Sequence, residues 1–185
     1  MKKSFVILSH VTTEAINQGF LPEIIKQGYP VTLLTDHPKE HKQALTSLLS
    51  HISIQQCDVF NPIEVLSKLD KEQISPVAIF SNSDHLQTSC AIVADFYNLP
   101  GKSWSSCHIT KHKTKMRERL TELGLETLWY YKVSNQAQLK EVINQVVYPC
   151  VIKPSLGVAS IDVKKNTLYH GTYGLLPKIM AAIPK

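Results

Sequence analysis

Two basic side chains, Lys113 and Arg117, stand four residues apart in "KTKMR", a spacing that places both on one face of a helix near its start. A third, Lys153, closes the apolar run "YPCVIKP" and leads into "SLGVAS". That loop offers Gly157 and Ala159, over which backbone N–H groups can approach an anion, and the hydroxyls of Ser155 and Ser160. Two ammonium groups held by rigid elements, beside an N–H-rich loop, suit a polyphosphate whose charge must be neutralised and whose leaving group must be oriented. An exposed basic helix and an ordinary turn use the same residue types, so composition alone does not separate the two readings.

The elements that would position these groups fall into two parts. In the first hundred residues, strand-like runs ("SFVILSH", "PVTLLTD", "ISIQQCD", "PVAIFSNSD") alternate with helical periods. Thr12 or Thr13 is set to cap a first helix with apolar positions Ile16, Phe20, Leu21, Ile24 and Ile25, and Gly28 to end it. Asn61 and Pro62 start a third helix, and a fourth near 84–97 is expected to bury Leu86, Ala91, Ile92, Ala94 and Phe96. Strands separated by helices predict a doubly wound α/β domain with a parallel sheet. Ligands of such sheets sit beyond the carboxyl ends of the strands, here Ser9-His10, Asp36-His37 and Ser81 to Asp84. The turn "SHVTTE" lacks the glycines of a dinucleotide cradle, so Asp36 reads as a solvated turn acid.

"NLPGKSWSS" marks a boundary near residue 104. Beyond it the spacing predicts a basic helix over 109–123 ended by Gly124, a strand "ETLWYYKV", a helix capped by Ser134, a buried strand "PCVIKP" and an outgoing strand "SIDVKK". That order describes a small α+β lobe.

Bulk properties narrow the classes. With 43% hydrophobic and 19% charged residues among 185, the chain is globular. No apolar run is long enough for a membrane span, and "MKKSFVIL" reads as a first strand, so the expected location is the cytoplasm. The net charge of +5 is mild, and one basic helix without a recognition scaffold argues against nucleic acid. Cys57, Cys90, Cys107 and Cys150 form no metal spacing. His108 and His112, at i and i+4, lack a third ligand, so no metal site is expected.

Taken in order, "KTKMRERLTELGLET" and "YYKVSNQAQLKEVINQVVYPCVIKPSLGVAS" resemble the opening of an ATP-grasp domain, the superfamily of biotin carboxylase, carbamoyl-phosphate synthetase and many carboxylate–amine ligases. Residues 1–104 then resemble the Rossmann-like pre-ATP-grasp domain, 105–163 the first lobe, and 164–185 an atypical tail. The resemblance implies ATP phosphate-binding roles for Lys113, Lys153, Ser155, Gly157 and Ser160, with ATP and Mg2+ as cofactors. It implies a small-molecule carboxylate or amine substrate beside Ser9, His10, Ser83 and Asp84. Siderophore or amino-acid biosynthesis is the context it suggests.

Two departures stand against the family pattern. Ala159 and Asp162 occupy loop positions where further glycines are usual, restricting positive φ and adding a repelling carboxylate. The 22 residues after Val163 contain no Asp or Glu, so a metal-binding second lobe cannot come from them. The expectation is an amino-terminal portion, truncated and inactive alone, completed by a second polypeptide or by homo-oligomerisation. The alternative is a non-catalytic module binding a small anion or a protein.

Overall fold

A computed structural model describes residues 1–155 and 163–166, in two compact units, Met1–His108 and Ile109–Lys185. Gly157, Ser160, Ala159, Asp162 and the tail from 167 lie outside the described residues.

The first unit is a four-stranded parallel sheet in the order β3-β2-β1-β4, built from β1 (Lys2–Leu8), β2 (Val31–Thr35), β3 (Ile52–Gln56) and β4 (Ile74–Phe80). Side chains alternate across a strand, and here both faces are apolar. Val6, Leu8 and Leu34 join one core with Val65, Leu69, Leu86 and Val93. Ile7, Leu33 and Val31 join the other with Ile16, Leu21 and Leu45. Burial on two faces explains why the strands read as continuous hydrophobic runs. Each fully buried Leu or Ile side chain contributes about 1.5–3 kcal/mol.

α1 (Leu21–Lys26) contributes Leu21 to the second core and Leu45 joins it just after α2 (Pro38–Ala44), while α3 (Pro62–Lys71) and α4 (Gln87–Phe96) contribute to the first. The α3 start follows its sequence signals: Asn61 Oδ1 accepts from Ile63 N–H at 3.1 Å and Pro62 opens the helix. Gly28 takes φ +79°, the left-handed conformation that ends α1. The first helix opens with a wider π-type turn, Ala15–Phe20, which leaves Phe20 exposed. On α4 the buried set is Ser89, Ala91, Val93 and Ala94, while Phe96 is 65% exposed and Ile92 half-buried. Phe96 thus sits just off the packed stripe and meets Tyr97 edge-on instead. Pro76 lies inside β4, which pairs with β1 on one side only, and so removes no ladder bond on the other.

α5 (Trp104–Lys111) carries the chain into the second unit, which contains α6 (Lys113–Glu122), α7 (Gln136–Val142), β5 (Cys150–Ile152) and β6 (Lys164–Asn166). Several expectations change here. The basic helix is two helices, because His112 adopts an extended conformation (φ −95°, ψ 101°) and Lys113 becomes the first residue of α6. Gly124, at φ +67°, follows the end of α6. Asn135, not Ser134, caps α7, its Oδ1 accepting from Gln138 N–H at 3.0 Å. Gln138 reaches back to Ser134 N–H at 2.8 Å, a near relative of the capping box.

Residues 126–133 form no strand, since no neighbouring strand pairs with them among the described residues. β5 is three residues long, pairs antiparallel with β6 and exposes Val151, so it is an edge ribbon and not a buried strand. Among the described residues the core of this unit is Leu139, Ile143 and Cys150, with Val133, Val146, Tyr148 and Ile152 around them.

Candidate functional site

The carboxyl ends of β1, β2 and β4 gather the polar groups of the first unit. Strand order reverses direction at β1, which puts the switch point between the ends of β1 and β4. Thr13 Oγ1 links those ends, accepting from Asn82 Nδ2 at 3.1 Å and from Ile16 N–H at 3.3 Å. Ser9 is buried and its hydroxyl donates to the Val11 carbonyl at 3.0 Å, which makes it a turn-forming group. Ser83 takes part in a second turn, its N–H donating to Ser81 Oγ at 3.2 Å. Gln87 holds that loop from α4, donating to the carbonyls of Ser81 and Ser83 at 2.8 and 3.0 Å, while Lys102 Nζ donates to Gln87 Oε1. Asp84 is exposed at the start of a short 3-10 turn.

His10 is brought to a partner that the spacing did not single out. Its Nδ1 lies 2.6 Å from Asp36 Oδ2, and His37 Nε2 is 3.7 Å from the same oxygen. The Phe60 ring stands edge-on to His10 with centroids 4.9 Å apart. Asp36 is therefore an organised, three-quarters-buried side chain and not a solvated turn acid. Register contains the missing signal: Leu8 pairs with Leu34, so the residues two steps beyond each, His10 and Asp36, emerge side by side.

The second unit holds a cavity of about 430 Å3. Lys113, Arg117, Trp129, Tyr131, Lys153 and Ser155 are among the residues that line it. Two hydrogen bonds tie its basic wall together: Lys113 N–H donates to the Ser155 carbonyl at 3.2 Å, and Thr114 Oγ1 lies 3.1 Å from Ser155 Oγ. The "KTKMR" helix start and the foot of the "SLGVAS" loop are therefore fixed to one another. Lys153, exposed at the end of β5, lies beside that joint.

Arg117 is engaged by Glu126, which the spacing did not pair with it, and Tyr131 Oη donates to Gln145 Oε1 at 3.1 Å. An apolar and aromatic lining that also holds two lysines and an arginine suits a flat heterocycle joined to an anionic chain. No carboxylate lines the cavity among the described residues. A magnesium ion, which takes oxygen ligands, does not fit these residues by themselves. No helix among the described residues is long and apolar enough to cross a membrane.

Comparison with known proteins places the architecture. No family model and no curated protein matches the sequence. Solved structures do match. An L-amino acid ligase from Bacillus licheniformis superposes with a TM-score of 0.70 at 17% identity, covering 97% of this chain and 42% of that one. N5-carboxyaminoimidazole synthetase from Staphylococcus aureus, complexed with ADP, gives 0.67 at 14%, covering 98% and 46%. N5-carboxyaminoimidazole synthase from Aspergillus clavatus, in complex with ADP and 5-aminoimidazole ribonucleotide, gives 0.63 at 13%, covering 98% and 44%. These neighbours are ATP-grasp ligases, and the likeness is one of fold. The chain spans less than half the length of each.

Proposed function

We propose, from the fold shared with ATP-grasp ligases, that this chain supplies the amino-terminal portion of an ATP-dependent carboxylate–amine ligase. The observation that supports the reading is the joint between Lys113 and Ser155, in a cavity that Lys153 also lines. Lys113 and Lys153 neutralise nucleotide phosphates, and Ser155 with Gly157 and Ser160 covers them. The aromatic residues Trp129 and Tyr131 offer a surface for the base.

The chemistry supplied by ATP is activation of a carboxylate as an acyl-phosphate, which an amine then attacks. The chain's own contribution is to bind the polyphosphate and fix the direction of its terminal group. Mg2+ enters with ATP, its ligands provided by a further lobe, a second polypeptide or a second copy of the chain. His10, Ser83 and Asp84, with Ser9 shaping the turn, border a small carboxylate or amine at the strand ends. An amino-acid substrate is supported by the L-amino acid ligase among the structural neighbours, and ATP as co-substrate points to the cytoplasm.

The test is calorimetric titration of ATP with magnesium into the intact chain and its Lys153→Ala variant, with an ATP-hydrolysis assay alongside. Weak binding lost on substitution, with no turnover, is expected. Binding that survives the substitution would sink the phosphate role of Lys153. Turnover by the chain alone would sink its incompleteness.

A further inference from the structure

At the carboxyl edge of the sheet, one aspartate is met by two imidazoles, and a hydrogen-bonded pair accounts for only part of the arrangement. His10 Nδ1 and Asp36 Oδ2 satisfy one another at 2.6 Å. His37, from the start of α2, nevertheless presents Nε2 to the same oxygen at 3.7 Å, and one ligand atom from each of the three residues lies within 4.8 Å of the others. The second oxygen, Asp36 Oδ1, is buried and has no hydrogen-bond partner among the described residues. A buried carboxylate oxygen left without a partner is costly unless something meets it.

Behind His37 stands a further carboxylate, with Nδ1 3.7 Å from Glu40 Oε1. A carboxylate hydrogen-bonded to the far nitrogen orients an imidazole toward a metal and raises its basicity; at 3.7 Å Glu40 is within reach of that bond but does not make it. One turn on, His41 is fully buried, its ring beside the His10 backbone.

We propose that His10, Asp36 and His37 form a site for a divalent transition ion of the zinc, cobalt and nickel class. Two nitrogens and one carboxylate oxygen match the ligand preferences of these ions, whereas calcium and magnesium want oxygen alone. The spacing comes from the fold: β1 and β2 are in register up to Leu8 and Leu34, and His37 follows Asp36 directly. On entry the ion replaces the proton between His10 and Asp36 and opens that pair to the spacing of about 3.3 Å that tetrahedral bonds of roughly 2.0–2.1 Å require. Three protein ligands leave a fourth position, open to water or to a carboxylate or amine of a small molecule. The site lies wholly in the first unit and shares no residue with the nucleotide cavity, so either can fail without the other.

The experiment strips the full chain with EDTA, then titrates it with cobalt chloride by visible absorption and with zinc chloride by calorimetry. Wild type is expected to bind one equivalent. His10→Gln, Asp36→Asn and His37→Gln are each expected to weaken binding roughly tenfold or more, while His51→Gln, at an exposed histidine elsewhere, leaves it unchanged. Zinc raises the melting temperature of wild type and of His51→Gln but not of His37→Gln, whose half-exposed side chain makes it the variant least prone to misfold. Absence of binding to wild type overturns the proposal. So does binding that persists in all three ligand variants, or that is lost equally in His51→Gln.

Discussion

The N–H of Lys113 donates to the carbonyl of Ser155 across 3.2 Å, joining the first residue of α6 to the end of the β5 turn. Because the first N–H groups of a helix have no partner within it, this bond uses a donor that the helix leaves over. Thr114 adds a side-chain bond, its Oγ1 at 3.1 Å from Ser155 Oγ. The backbone on which a phosphate loop would hinge is thereby anchored to the element that carries one of its two lysines.

Replacing Thr114 with Val removes the side-chain bond and keeps the shape. The contact is exposed, so the stability cost is about 1 kcal/mol or less. Nucleotide affinity, measured by calorimetry, is expected to fall severalfold, because the loop loses half of its anchor. Unchanged affinity would show that the backbone bond suffices.

Arg117 and Glu126 are each about three-quarters buried and pair with one another. Glu126→Gln leaves the guanidinium without its counter-charge and is expected to cost about 1–2 kcal/mol, between exposed and fully buried pairs. The matching Arg117→Met variant, combined in a double-mutant cycle by chemical denaturation, should give a coupling energy near 1 kcal/mol. A coupling near zero would mean that the pair is an ornament of the surface.

How much of this was legible beforehand depends on the kind of signal. The parallel sheet followed from apolar runs such as "FVIL" and "VTLL" alternating with helical periods, and those runs are buried on both faces. The Asn61-Pro62 start and the Gly28 stop were local chemistry, readable residue by residue. The expected strand at 126–133 failed because aromatic and β-branched composition describes a surface that can pair, while pairing itself depends on a neighbour distant in sequence. The split at His112 is not legible locally, because no proline or glycine marks it. The His10–Asp36 contact depends on strand register, which a single strand's pattern does not contain. Gly157 and Ser160 lie outside the described residues, so their phosphate roles are carried by the proposal alone.

Among the described residues, the two units have cores of different size. Leu139, fully buried, is one of three described residues at the centre of the second unit. Leu139→Ala is expected to cost about 2–5 kcal/mol. Hydrogen exchange read by mass spectrometry should show amides of α7 and β5 losing protection while those of β1 and β2 keep theirs. Equal loss in both units would show that they unfold as one.

Cys57 and Cys90 pack on the same core of the first unit, and burial is the main reason that the pKa of each is raised from 9.0 to about 11. Glu64 and Asp58 add to the effect at Cys57, and Cys107 at Cys90. A folded pKa above the unfolded one favours the neutral thiol in the fold. That contribution is complete below pH 9 and is lost as pH rises from 9 toward 11, where the unfolded chain ionises first. At a given pH below 9, the folded protein therefore holds about a hundredfold less thiolate at each position than the unfolded chain does, and the thiolate is the form that reacts. Peptide-resolved alkylation with iodoacetamide at pH 8 should modify both cysteines about a hundredfold more slowly in the native protein than in denaturant. The native rate should climb roughly tenfold per pH unit until the fold gives way. Labelling of either cysteine at the rate of a free thiol would place that side chain in water and contradict the packing of Cys90 on α4, or of Cys57 just after β3, against this core.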